Sequence, residues 1–107
     1  MKLSDNEEII KKGSANLQKG IETVGGKLYL TNERLNFESH KLNIQTGNLE
    51  ISLKEINSLK KSWTKLFGVI PLFPNAIKVL TKSNNEYIFT LFGRDAWISE
   101  IRNISSF

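Results

Sequence analysis

Gly26-Lys27-Leu28-Tyr29-Leu30-Thr31-Asn32-Glu33-Arg34-Leu35-Asn36-Phe37 is the stretch on which the fold turns. Leu28 and Leu30 alternate with Lys27, Tyr29 and Thr31, and Leu35 and Phe37 alternate with Arg34 and Asn36. A period of two predicts two strands, each with one buried and one wetter face. Thr31-Asn32-Glu33 between them is short and polar, with an asparagine that tolerates positive φ. The pair reads as a tight β-hairpin.

Upstream of the hairpin, Ala15 and Leu17 alternate with Ser14, Asn16 and Gln18, which predicts a strand near 13–19. Ile21–Val24, between Gly20 and Gly25-Gly26, reads as a bend or a weak strand extension. Glycine pairs mark places where the backbone turns or two segments approach closely. Residues 1–7 are polar and acidic and read as a lead-in that frays, with a single domain over 8–107.

Downstream, His40–Asn48 is polar, and Thr46-Gly47-Asn48 is a turn signal. Leu49, Ile51 and Leu53 alternate into another strand, Lys54-Glu55-Ile56 turns the chain with Ile56 inward, and 57–64 reads as a further strand. Lys65–Pro74 is strongly apolar yet broken by Gly68, Pro71 and Pro74, which predicts a hydrophobic loop. Such a loop either packs back on its domain, the commoner outcome, or presents an exposed patch to a partner. Ile77–Leu80 and Tyr87–Leu91 follow as two strands around Ser83-Asn84-Asn85. After Gly93 the period becomes helical, with Trp97, Ile98, Ile101 and Ile104 on one stripe. About seven strands joined by short turns favour antiparallel pairing. The fold class is mainly β with one C-terminal α-helix, a split barrel whose open end the helix caps.

The local wording is also similar to a known family. Ala15-Asn16-Leu17, Gly20 and the Gly26–Phe37 hairpin match a G-x-L-Y-L-T-x-x-R-L-x-F pattern, and Leu53–Ile56 and Gly93–Trp97 fit the same frame. The chain resembles the GRAM domain, a branch of the pleckstrin-homology-like superfamily, over roughly 8–104. Size and a Lys/Asn/Ile-rich composition suggest a free-standing bacterial member. The resemblance implies a binding module associated with membranes, in several cases through anionic lipids, and in others with proteins. It transfers no ligand contact, since only Lys19 and Lys27 lie near the glycine turn.

Composition narrows the function classes. With 107 residues, 39% hydrophobic and 24% charged, the chain is an ordinary globular domain. It holds one histidine and no cysteine, so disulfides and thiolate metal sites are excluded and no cofactor is called for. A catalytic triad would depend on His40, alone in a polar loop, which leaves no nucleophile–base constellation. No run is long enough to cross a bilayer, and the acidic start is unlike a secretory signal. The expected place is the cytoplasm, with a peripheral position at the inner membrane face left open.

Of the net charge of +4, four lysines and one glutamate in 54–65 supply +3. Lys54, Lys60, Lys61 and Lys65 stand beside Trp63 and Phe67, and lysines next to aromatics suit an anionic interface. These six residues are the candidate membrane or ligand contacts. Leu66, Leu72 and Phe73 are candidates for the alternative, a protein partner or self-association through 66–74. Nucleic acid ranks third, because Tyr29 with Lys27 is too thin a stacking surface.

Overall fold

The computed structural model describes residues 1–19, 21–40, 48–66 and 70–105, the side chains of Lys19, Lys65 and Leu66 excepted. The strands are β1 (Ile9–Lys19), β2 (Glu22–Thr31), β3 (Arg34–Ser39), β4 (Asn48–Ser52), β5 (Ile56–Leu66), β6 (Ile70–Thr81) and β7 (Glu86–Leu91). A single 3-10 turn, Leu53–Glu55, separates β4 from β5, and helix α1 spans Arg94–Ile104. One sheet holds all seven strands in the order β4-β3-β2-β1-β7-β6-β5, and every neighbouring pair is antiparallel. The meander is closed by β1 pairing with β7, and the chain adopts the curled half-barrel that the alternating pattern predicts.

Inward positions form one core. Leu28, Leu30, Leu35 and Phe37 from the hairpin meet Ile56, Leu59, Ile77, Val79 and Phe89, all buried. Phe37 and Phe89 lie 5.8 Å apart in a tilted ring pair. Gly93 takes the left-handed conformation (φ 67°) and opens α1, whose Trp97, Ile98 and Ile101 are buried against the barrel. The guanidinium of Arg94 donates to the Ser62 carbonyl and that of Arg102 to the Leu59 carbonyl, each at 3.0 Å, tying the helix along β5.

The structure corrects several expectations. β1 starts earlier, at Ile9, and of the two readings of Ile21–Val24 the strand extension holds, because β2 runs unbroken from Glu22 through both glycines. Gly26 marks a close approach, as read. A Cβ there would stand 2.2 Å from the Glu38 carbonyl oxygen and 2.7 Å from Phe37 Cζ. The hairpin turn does not use a left-handed Asn32, and the described non-glycine residues with positive φ are Asn6 and Asn84. Thr31 Oγ1 instead accepts the backbone N–H groups of Glu33 and Arg34, each at 3.0 Å. This frees the Asn32 side chain, which accepts the Glu8 N–H and donates to the Asn6 carbonyl.

The lead-in does not fray. Glu7 is 6% exposed and its carboxylate accepts Thr31 Oγ1 at 2.6 Å and Arg34 Nε at 2.8 Å. The largest correction concerns 65–74, expected as a loop. Lys65 and Leu66 end β5, and Ile70–Pro74 begin β6; residues 67–69 lie outside the described set. The prolines are compatible with a strand because β6 pairs with β7 only from Ala76 onward. Before that it meets β5 alone, with register shifts at Ser62/Thr64 and Thr64/Lys65. At such edges and bulges a missing N–H costs no ladder bond. The expected turn at Thr46-Gly47 also lies outside the described residues.

Candidate functional site

The first stretch of β6 and the last of β5 form a two-stranded ribbon that runs past the end of β7. With no third strand paired to it, it leaves several large side chains in water, although Thr64 reaches back to Thr90 of β7 at 2.8 Å. Trp63 is 47% exposed, Ile70 51%, Leu72 42% and Phe73 60%. The other tryptophan, Trp97, lies on the buried face of α1. Four large apolar side chains on one projecting ribbon make the kind of patch that marks an interaction surface.

Of the nine sequence candidates, Trp63, Leu72 and Phe73 are exposed on this ribbon. Lys65 and Leu66 belong to it by backbone position, paired with Pro71 and Ile70, and Phe67 lies outside the described residues. Lys60 and Lys61 sit at its root but point to opposite faces, as successive strand residues must. Lys61 Nζ reaches Asp95 of α1 at 3.1 Å. Lys60 stands opposite Lys78, which holds Glu86 at 3.5 Å. Both ion pairs are at least partly exposed, and such pairs contribute little to stability. Lys54 is set apart. It lies in the 3-10 turn at the far end of β5, beside Arg34, Glu50 and Ile104. Eleven strand residues place it on the order of 30 Å from the ribbon tip.

Sequence reading missed Ile70 and Phe92. Phe92 is 90% exposed. Its outward direction follows from alternation after the buried Phe89 and Leu91. Phe92 rims a small cavity of about 190 Å³ on the outer face of the sheet, together with Asn16, His40, Asn75 and Thr90.

A third polar cluster surrounds Arg34. Its guanidinium joins Glu7, Glu50 and the Lys2 carbonyl. Arg34, with Thr31 and the Ser4 N–H, holds the Glu7 carboxyl down at a pKa of about 2, well below the usual carboxylate value. The acid partners in turn raise the Arg34 pKa further. Each charge is already matched, so the cluster fastens the lead-in to the hairpin and offers no free group for chemistry. Among the described residues no group of three or more His, Cys, Asp or Glu could hold a metal ion, and no described helix is long and apolar enough to cross a membrane.

Comparison with known proteins agrees with this architecture. No curated protein matches the chain. Among solved structures, the C-terminal domain of an unknown protein from Leishmania infantum superposes with a TM-score of 0.76 at 25% identity, covering 94% of this chain and 85% of that one. The Vps36 N-terminal PH domain gives 0.65 at 15% identity over 95% and 84%. The Slm1 PH domain gives 0.64 at 12% identity over 92% and 98% in its complex with inositol 4-phosphate. It was also solved with phosphoserine. The last two likenesses, under 25% identical, establish the pleckstrin-homology-like fold. The model of the GRAM domain matches residues 1–103, and the chain therefore belongs to the GRAM domain family.

Proposed function

We propose that this domain is a non-enzymatic binding module that docks peripherally on anionic membrane lipids through the β5–β6 ribbon. The observation that carries the reading is the exposure of Trp63, Ile70, Leu72 and Phe73 on a ribbon rooted between lysines. In this reading Trp63, Leu72, Phe73 and Phe67 enter the boundary between head groups and acyl chains. Lys60, Lys61 and Lys65 meet the head groups, each contributing about 1 kcal/mol near a charged surface. Lys54, far along β5, takes no part. The Slm1 PH domain, solved with inositol 4-phosphate and with phosphoserine, gives the same fold an anionic phosphate ligand.

The alternative, a protein partner or self-association through 66–74, draws on the same apolar side chains. Strand-to-strand assembly is disfavoured there, because Pro71 and Pro74 remove donors from β6 and the lysines of β5 blunt its edge. Sedimentation with phosphatidylglycerol vesicles separates the two readings. The wild type should pellet with these and not with phosphatidylcholine vesicles, and Lys60→Glu/Lys61→Glu/Lys65→Glu should lower binding at least tenfold. Failure of the wild type to pellet, or full binding by the triple variant, would sink the membrane reading. A salt-resistant oligomer in the ultracentrifuge, lost in Leu72→Ser/Phe73→Ser, would favour the alternative.

A further inference from the structure

The outer face of the sheet holds a feature that ribbon docking does not use. The His40 N–H donates to the Gly25 carbonyl at 2.9 Å, Gly25 pairs with Asn16, and Asn16 pairs with Thr90. These positions make a transverse line from His40, just past the end of β3, across β2, β1 and β7. On this line lies Gly25, where a Cβ would stand 3.2 Å from Asn16 Oδ1 and 3.6 Å from His40 Cδ2. The missing side chain opens the cavity of about 190 Å³ whose polar lining is Ser14, Asn16, His40, Asn75 and Thr90, with Phe92 at the rim.

Two properties define what this cavity can take. Among the described residues no lysine, arginine, aspartate or glutamate lines it, so no described ammonium, guanidinium or carboxylate there offers a counter-charge to an ion. Its walls offer amides and hydroxyls, which donate and accept alike and suit a ligand that does both, namely a hydroxyl group. Thr90 Oγ1 and Asn75 Oδ1 are both held by Thr64 Oγ1, which fixes that wall, while the Asn16 amide and the His40 ring have no partner among the described residues. Phe92 adds an exposed aromatic face directly beside these groups. A pyranose presents both surfaces at once, a ring of hydroxyls and an apolar C–H face. A cavity of about 190 Å³ is of the size of a single ring.

We infer that this groove binds a single uncharged hexose ring, as a free sugar or as the head group of a neutral glycolipid. The site is independent of the anionic-lipid reading, whose charged groups lie elsewhere. An open site with few contacts binds weakly, with a Kd in the millimolar range.

Amide chemical shifts of the full chain, titrated with methyl β-D-glucopyranoside, test the inference. Saturable shifts should appear at 14–16, 25–26, 40, 75 and 90–92, and Asn16→Ala and Phe92→Ala should weaken binding at least tenfold. Both side chains are exposed, so these variants should fold, and Asn16→Ala should still pellet with sugar-free anionic vesicles if the wild type does. Phosphatidylcholine vesicles with and without glucosyl-diacylglycerol identify the source. Recruitment by the glycolipid assigns a lipid head group, and saturation by the free glucoside alone assigns a soluble sugar. The inference is overturned if neither probe binds. Shifts that lie elsewhere, shifts unchanged in both variants, or tighter binding of inorganic phosphate to the same amides would overturn it as well.

Discussion

Glu7 shows how a single side chain alters the reading of its segment. In the sequence it belongs to a polar lead-in with no periodicity, and nothing in local spacing connects it to Arg34, 27 residues further on. In the fold its carboxylate is buried and accepts from Arg34, Thr31 and Ser4. The pKa of about 2 lies below the ordinary 4.5, so the ionised form is the one the folded state favours. Its stabilisation is therefore complete above about pH 4.5 and is lost as the pH falls toward 2. Glu7→Gln should cost roughly 2–3 kcal/mol at pH 7. In urea titrations across pH, the difference from the wild type should shrink between pH 5 and pH 2. A pH-independent difference would contradict this assignment. Gly26 is a second residue with a specific demand. Gly26→Ala drives a Cβ into the Glu38 carbonyl and the Phe37 ring, and should cost about 1–3 kcal/mol by overpacking. An unchanged melting temperature would refute it.

At the scale of elements, the hairpin and the ribbon were unequally legible. In β2, buried Leu28 and Leu30 alternate with half-buried Lys27 and Tyr29, so the period of two in the sequence is the period of burial. In β3, Leu35 and Phe37 also turn inward, but Asn36 between them, expected on the wetter face, is buried as well. The ribbon breaks that correspondence. Ile70, Leu72 and Phe73 are apolar and face water, and two prolines stand in a strand because bulges and a missing neighbour spare them ladder bonds. Residue type alone could not reveal that β7 stops short of this stretch. Side chains that cover no core should cost the fold little when changed. Leu72→Ser/Phe73→Ser should shift unfolding free energy by no more than about 0.5 kcal/mol per site while removing vesicle binding. A large loss of stability in urea would show that the ribbon packs on the domain after all.

For the whole molecule, pattern and family wording together gave the fold class, the strand count and the capping helix. The sheet order was beyond periodicity, because the β1–β7 pairing joins segments about 75 positions apart and alternation carries no information about partners. The candidate site was half legible. Lysines and aromatics clustered in 54–67 of the sequence, but strand geometry spreads them, sending Lys60 and Lys61 to opposite faces and Lys54 to the far end of β5. What gathers at the ribbon is mainly apolar, so the proposed docking combines insertion with a modest electrostatic pull that salt should weaken. The two tryptophans make the decisive experiment direct, since Trp97 is buried and Trp63 is half exposed. Tryptophan emission of the wild type should shift to shorter wavelength as phosphatidylglycerol vesicles are added, and Trp63→Phe should abolish the shift. Emission that stays unchanged while the protein pellets with the vesicles would contradict insertion of the ribbon.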